Sequence, residues 1–361
     1  MRPVQLGVLL PTRGVLFAKH GPPDVSPIFR MAEQAEEAGY HSVWVGDSIT
    51  AKPRLEALTT LGALAARTER VQLGTAVLLA ALRQPLVLAH AVASLDVLST
   101  GRIILGVGAG RGGRDILAQE FENCGVPFGE RGARITELLT ICRRLWTGSP
   151  VSYRGTYYTL SEVALEPRPV RPGGPPLWIS SNLITQGLRR VALLGDAWIT
   201  NVITLGVYQR CWEQIVATAE AAGRDPQQIQ QCLYLTVNVA LDGEKARREG
   251  RSFLESYYKK PAAAVEEDLV CQFGSPDEVL ARLDGYVRLG VRTVIVRFVR
   301  RSSLNNWRSA PRRFFPAYEG TTLLTDCGHS LPDLSGGAVS SGIFHAVGAA
   351  GCHHPLGAMY G

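Results

Sequence analysis

Short apolar runs alternate with amphipathic segments along the chain as far as Val299. The amphipathic segments repeat apolar residues at helical spacing, as in the segment that Ser26 caps and Gly39 ends. The apolar runs that predict buried strands are residues 5–10, 42–45, 71–79, 102–106, 177–180, 197–200, 233–241 and 293–299. Helices are predicted at residues 27–38, 58–67, 85–98, 135–146, 185–194, 208–222, 244–257 and 276–289. This alternation predicts an α/β fold of eight βα units, a (β/α)8 TIM barrel, with a doubly wound open sheet as the competing arrangement.

Two parts of the chain depart from this alternation. Val151 to Leu160, interrupted at Arg154-Gly155, predicts a β-hairpin inserted outside the repeated units. From Phe314 onward the chain is rich in glycine, serine and histidine, which predicts a poorly structured C-terminal tail. We therefore expect a barrel domain over residues 1–313 and an atypical Gly/Ser/His-rich tail over residues 314–361.

The composition narrows the classes of function. Hydrophobic residues make up 46% of the 361-residue chain, enough to bury a large core. The net charge is +6, but the arginines are scattered on what we expect to be solvated faces, so a nucleic-acid binder is not expected. We expect neither a signal peptide nor a membrane-spanning segment, since the N-terminal apolar run is short and no apolar segment is long enough to cross a bilayer. The cysteines include no Cys-x-x-Cys pair and those in the tail fit no zinc template, so we expect reduced thiols, no metal site and a cytoplasmic protein.

One glycine-rich stretch is a candidate ligand site on chemical grounds alone. The fourth apolar run leads into Gly106, Gly108 and Gly110, and arginines follow at Arg111 and Arg114. Glycines allow a backbone to approach a ligand closely, and backbone amides with guanidinium groups suit an anion. The spacing is not that of a dinucleotide-binding fingerprint. The alternative is a tight turn from strand to loop with solvated arginines.

A series of short motifs occurs in a fixed order between residues 4 and 300. They are AEEAGY at 35–40, SVWVGD at 42–47, RTERVQLGTAV at 67–77, STGR at 99–102, GVGAG at 106–110, LWTG at 145–148 and PPLWI at 175–179. In this order they are specific, and the chain resembles the bacterial-luciferase-like flavin-dependent oxidoreductases. The resemblance implies a TIM barrel with a flavin, either FMN or the deazaflavin F420, at the C-terminal ends of its strands.

The resemblance assigns catalytic roles to Asp47 and Ser48 at the end of the second strand, where they would hydrogen-bond the substrate or the flavin edge. The alternative is that Asp47 only caps the next turn. F420-dependent members often carry a histidine directly after this aspartate, whereas this chain has Ser48, which favours the FMN enzymes. Glu56 and Glu120 are candidate pocket acids, with a solvated or helix-capping role as the preferred alternative.

The resemblance also supplies a cofactor-binding set. In the third strand the family commonly has a bulge with a non-prolyl cis peptide, here at Thr75, Ala76 and Val77; Ala76–Val77 is the first candidate, and a regular strand is the alternative. The residues expected to bind the phosphate are Gly106, Gly108, Ala109, Gly110 and Arg111 on one loop and Ser180, Ser181, Asn182 and Thr185 on another. For the second loop the compatible alternative is an N-cap of the helix at Thr185.

The implied activity is that of a monooxygenase that uses reduced FMN and O2 on a small organic substrate. A separate flavin reductase would supply the reduced FMN, and the family often forms homodimers. The first alternative is an F420-dependent oxidoreductase that transfers hydride without oxygen, and the second is a flavin-binding protein without turnover. No nucleic acid or membrane is expected as a partner.

Overall fold

The computed structural model describes residues 4–17, 21–110, 114–202 and 204–299. The tail over residues 314–361 lies outside them, so the division of the chain at residue 313 stays a prediction. None of the described helices is both long and apolar enough to cross a lipid bilayer.

Eight of the described strands close into a parallel barrel. The strands are β1 Gln5–Leu9, β2 Ser42–Val45, β3 Gln72–Thr75, β4 Ile103–Val107, β5 Val151–Arg154, β6 Thr159–Val163, β7 Leu177–Ser180, β8 Ala197–Thr200, β9 Gln230–Val239, β10 Cys271–Gly274 and β11 Thr293–Phe298. The barrel order is β1-β2-β3-β4-β7-β8-β9-β11, and β11 pairs in parallel with β1, which closes the ring. The predicted TIM barrel is confirmed, and the open doubly wound sheet is excluded because the strand order does not reverse.

The helices follow the strands on the outside of the barrel. They are α1 Ser26–Glu37, α2 Ala57–Ala65, α3 Pro85–Leu98, α4 Arg114–Asn123, α5 Arg131–Leu145, α6 Thr185–Leu194, α7 Leu205–Ala221, α8 Gly243–Tyr258, α9 Ala262–Glu266 and α10 Pro276–Arg288. Local sequence fixes several of their starts, since the side chains of Glu56, Thr204 and Asp242 each accept a backbone N–H of the first turn. Ser275 and Glu278 form a reciprocal capping box at α10.

The insertion and one further strand complete the sheet structure. β5 and β6 form a separate antiparallel hairpin, which confirms the inserted hairpin. The sequence analysis missed β10, which pairs with Thr236–Val239 in the second half of β9. β9 is longer than the other barrel strands. The first half of one of its edges pairs with β8, and the second half of the same edge pairs with β10.

Two tryptophans fill the centre of the barrel. The rings of Trp44 on β2 and Trp178 on β7 lie 5.1 Å apart between their centroids, and Trp44 donates from Nε1 to Ser42 Oγ at 2.8 Å. A Cβ atom on Gly7 or Gly74 would overlap the Trp44 ring, so both neighbouring strands need glycine there. The other buried side chains of this inner cluster are Leu9, Ile104, Ala197, Ile199, Cys232 and Ile295.

The side chains that face the barrel axis are no longer all apolar at the next inward position towards the C-terminal ends of the strands. Because side chains alternate along a strand, the residues two positions beyond the inner cluster also face the barrel axis. On β4 and β7 these positions hold Gly106 and Ser180, whereas on β11 the position holds Arg297. The C-terminal mouth of the barrel is therefore small and polar on one side and cationic on the other.

Candidate active site

Three strand ends meet at Gly108. A Cβ atom on Gly108 would lie 2.6 Å from Val77 Cγ2 and 3.5 Å from Ser180 Cβ, so the loops after β3, β4 and β7 are in contact there. The Leu78 N–H donates to Gly106 O at 2.8 Å, and the Gly108 N–H donates back to Leu78 O at 3.0 Å. The structure thus brings together Val77, Gly108 and Ser180, which the sequence assigned to one cofactor site from three separate segments. We call this region the glycine cradle.

The loop after β3 has the predicted backbone geometry. The Ala76–Val77 peptide bond is cis, as expected for the first candidate, so the alternative of a regular strand is wrong. Thr75 is fully buried and donates its hydroxyl to Gly106 O at 2.7 Å. The side chains of Ala76 and Val77 pack against the inner cluster.

The remaining residues of the β4 loop are held by the protein itself. Gly110 has a φ of +81°, which explains the glycine, and Ala109 O accepts a hydrogen bond from Arg131 Nε at 3.0 Å. The Arg131 guanidinium also lies over the Phe128 ring, 3.6 Å from its centroid. The sequence analysis missed this support by Arg131. Arg111 lies outside the described residues, so its contact with a phosphate stays a prediction.

The loop after β7 is held by side-chain amides. Asn182 Nδ2 donates to Asn201 Oδ1 at 2.6 Å, while Asn182 Oδ1 accepts from the Thr200 hydroxyl at 3.0 Å. The carbonyl of Ser181 accepts from Trp198 Nε1 at 2.7 Å. Asn182 therefore shapes the loop through contacts to neighbouring residues.

Thr185 does not cap the helix that it begins. It is exposed at the first position of α6, the cap position is Ile184, and no side chain there accepts a hydrogen bond. The capping alternative for Thr185 is wrong, because its position lies inside the first turn. Its predicted contact with a phosphate stays a prediction.

Asp47 holds the loop that follows β3. Its Oδ2 accepts the Leu79 N–H at 2.9 Å and the Arg83 Nη1 at 2.5 Å, while its Oδ1 accepts Arg83 Nη2 at 3.1 Å. Arg83 also pairs with Glu56 at 2.9 Å, and Glu56 caps α2 by accepting the Thr59 N–H. Burial opposes the charge of Arg83, but hydrogen bonds and charges of Asp47 and Glu56 outweigh it and raise the pKa of Arg83. Glu56 thus caps a helix, as its alternative predicted, whereas Asp47 holds the loop after β3 and not the next turn along the chain; the catalytic role of Asp47 stays a prediction.

Ser48 and Glu120 hold the loop between β2 and α2. The Ser48 hydroxyl donates to Glu120 Oε1 at 2.8 Å, and the same oxygen accepts backbone N–H groups of Ile49 and Thr50. Glu120 is 1% exposed, so the expectation that it is solvated or caps a helix is wrong. Its second oxygen, Oε2, is buried and has no hydrogen-bond partner among the described residues.

Four cations occupy the other side of the mouth, and we call them the cationic cluster: Arg13, Lys52, Arg54 and Arg297. Sequence reasoning missed them because it took the arginines to be solvated. The available signal was Arg297, an arginine inside the apolar run TVIVRF at an inward-facing position. Arg297 is buried, and it donates from Nε to Thr236 Oγ1 at 3.0 Å and from Nη1 to the Tyr258 hydroxyl at 2.8 Å.

Comparisons with known proteins agree with this architecture. Among curated relatives, the F420-dependent glucose-6-phosphate dehydrogenase of Amycolatopsis mediterranei is 31% identical over 76% of this chain and 88% of its own length. The F420-dependent hydroxymycolic acid dehydrogenase of Mycobacterium tuberculosis is 31% identical over 54% of each chain. Among solved structures, a monooxygenase from Streptomyces bottropensis superposes with a TM-score of 0.70 at 24% identity, over 85% of this chain and 98% of its own. The model of the luciferase-like monooxygenase family matches residues 4–293, and the chain belongs to that family.

Proposed function

We propose that this protein is an F420-dependent oxidoreductase that transfers hydride between the deazaflavin and an organic substrate. The observation that carries the proposal is the 31% identity, over three-quarters of the chain, with a relative named as an F420-dependent dehydrogenase. This favours the F420 alternative over the FMN monooxygenase that the sequence analysis preferred.

The position of Ser48 no longer argues against F420. The sequence analysis weighed Ser48 against the histidine that F420-dependent members often carry. In the structure the Ser48 hydroxyl donates to Glu120 and accepts the Lys52 N–H at 2.8 Å. Because these two hydrogen bonds hold the loop after β2 to itself and to Glu120 on α4, Ser48 is a weak indicator of cofactor identity.

The glycine cradle fits a flat tricyclic ring. A Cβ atom on Gly108 would overlap the Val77 side chain, so glycine lets the loops after β3 and β4 pack closely, and the ring would lie against the surface that they form. When bound, the deazaflavin would accept or donate the hydride. The residues of the chain would hold its ring against the loop after β3, and the Trp44–Trp178 pair would close the barrel beneath it against water.

Cofactor titration tests the proposal. Purified protein is titrated with oxidised F420 and with FMN, and each dissociation constant is measured by fluorescence quenching. We expect F420 to bind more tightly, and a reduced substrate to bleach it at the same rate with and without oxygen. Tighter binding of FMN together with substrate-dependent oxygen consumption would instead identify a monooxygenase.

A matched pair of glycine variants locates the site. Gly108→Leu should weaken F420 binding at least tenfold, because the leucine would overlap Val77 and displace the loop that is proposed to support the ring. Gly129→Leu is the control, since a Cβ atom there meets no neighbour within 4 Å. Equal affinities of the two variants would place the cofactor elsewhere.

A further inference from the structure

Helix α4 connects the glycine cradle to the loop that follows β2. A Cβ atom on Gly110 would lie 3.1 Å from Leu117 Cδ2, so the first turn of α4 packs on the loop after β4. About one turn further on, Glu120 is buried and accepts hydrogen bonds from the loop after β2. Phe121 beside it is fully buried and packs edge-on against Phe128, with 5.8 Å between the ring centroids. These contacts fix the place of Glu120 next to the loop after β2.

One oxygen of Glu120 accepts the hydrogen bonds of this loop. Oε1 accepts the Ser48 hydroxyl at 2.8 Å, the Thr50 N–H at 2.8 Å and the N–H of Ile49. An ionised carboxylate oxygen can only accept, so each of these partners must donate its hydrogen. The proton of the Ser48 hydroxyl is therefore directed at Glu120.

The Ser48 oxygen retains one open acceptor position. A hydroxyl oxygen has two lone pairs, and the Lys52 N–H donates to one of them at 2.8 Å. No other group in the described part of the chain donates to Ser48 Oγ. Ser48 follows Trp44 and Gly46 at intervals of two residues, the spacing that places side chains on the inward side of a strand. Towards the barrel mouth, Ser48 Oγ is thus an acceptor of hydrogen bonds and not a donor.

The charge of Glu120 strengthens this acceptor. Glu120 is 1% exposed, and its Oε2 is buried without a hydrogen-bond partner among the described residues. Within the same part of the chain, the Ser48 hydroxyl is the one side-chain donor to Glu120. A hydrogen bond to a carboxylate polarises the donating hydroxyl, which makes its oxygen a better acceptor for the next hydrogen bond.

We propose that Glu120 is a positioning residue that presents Ser48 Oγ as an acceptor to a hydroxyl group of the substrate. This rests on the proposed function, because hydride transfer at a carbon that bears oxygen interconverts a hydroxyl and a carbonyl group. A hydroxyl group can donate to Ser48 Oγ, whereas a carbonyl oxygen would meet it with no hydrogen between them. The site therefore binds the hydroxyl form of a substrate more tightly than the carbonyl form.

Matched pairs of a secondary alcohol and its ketone test this preference on the full chain without cofactor. Cyclohexanol with cyclohexanone, and cyclopentanol with cyclopentanone, are titrated, and the dissociation constants are measured by ligand-observed NMR. We expect each alcohol to bind about tenfold more tightly than its ketone, as one hydrogen bond allows. Ser48→Ala should bring this ratio close to one, because alanine offers no acceptor.

Glutamate variants separate positioning from a purely structural role. Glu120→Gln retains an oxygen for the same donors, so the preference for alcohols should persist. Glu120→Ala frees the Ser48 proton to donate to a ketone, so the preference should fall at least about threefold. Glu122→Ala is the matched control, because Glu122 is an exposed glutamate on the same helix. A purely structural role of Glu120 would weaken alcohol and ketone binding equally and leave their ratio unchanged.

The result does not depend on which cofactor binds at the glycine cradle. Absence of alcohol binding to wild type, equal binding of alcohol and ketone, or an unchanged ratio in Ser48→Ala overturns the proposal. An unchanged ratio in a folded Glu120→Ala protein also overturns it, and if circular dichroism shows that this variant does not fold, Ser48→Ala and Glu120→Gln decide the matter. A preference for alcohols that Ser48→Ala abolishes and Glu120→Gln retains supports the proposal even if FMN replaces F420 as the cofactor.

Discussion

Replacing Lys52 by methionine should stabilise the protein at neutral pH. Burial, followed by the charges of Arg54, Arg13, Arg297 and Lys260, lowers the pKa of Lys52 from 10.5 to about 8. The folded state thus binds this proton more weakly than the unfolded state. The resulting loss of folding stability is fully present below pH 8 and disappears as pH rises towards 10.5. A depression of this size corresponds to about 3 kcal/mol at pH 7. Methionine keeps the length of the stem and removes the charge.

The assay is urea denaturation of wild type and Lys52→Met at several pH values between 7 and 10.5. We expect the variant to exceed wild type in free energy of unfolding by about 3 kcal/mol at pH 7, with the gap closing almost fully by pH 10.5. Lys245→Met controls for the loss of a lysine as such. A variant no more stable than wild type at pH 7, or a gap that does not change with pH, would refute the reasoning.

Three further predictions follow from the site and the barrel core. Asp47→Ala should lower the free energy of unfolding by about 3 kcal/mol, because it leaves a mostly buried Arg83 without its main partner. Glu56→Gln should lower it by about 1 kcal/mol or less, because Glu56 is more exposed. Equal decreases for the two variants in urea denaturation would contradict this reasoning. Gly74→Ala should cost about 1–3 kcal/mol through its overlap with Trp44, and a Trp44→Leu background should relieve that cost. Gly108→Leu should lower the thermal midpoint, because its Cβ atom would lie 2.6 Å from Val77 Cγ2 and the Val77 side chain packs against the inner cluster; an unchanged midpoint would mean that Val77 turns aside.

The barrel was predictable because its signal is local and repeated. Each βα unit carries an apolar run and an amphipathic helix, and eight such units leave few arrangements. The cis peptide at Ala76–Val77 came from the resemblance, since no spacing of residues indicates it. β10 was missed because its four residues, CQFG, give no alternation long enough to separate a strand from a loop. α4 was missed because the glycines before it suggested a continuing loop.

The contacts of charged residues were the least predictable part of the site. Glu120 accepts hydrogen bonds from a loop that lies 69 to 72 residues earlier in the chain. Asp47 forms an ion pair with Arg83, which lies 36 residues later. Such pairs depend on which strand ends meet at the rim, which the local pattern does not report. Arg297 was the exception that could have been found, because an arginine at an inward position of an apolar strand must either be paired or bind something.

The two carboxylates and the four cations together give the mouth its charge. Asp47 Oδ2 accepts a backbone N–H of the loop after β3, Glu120 Oε1 accepts backbone N–H groups of the loop after β2, and Arg83 pairs with Asp47. These carboxylate oxygens hold loops, while the buried Arg297 guanidinium donates to the hydroxyl groups of Thr236 and Tyr258. Part of the net charge of +6, which the sequence analysis took to be solvated, is therefore gathered at the barrel mouth, where Arg297 is buried.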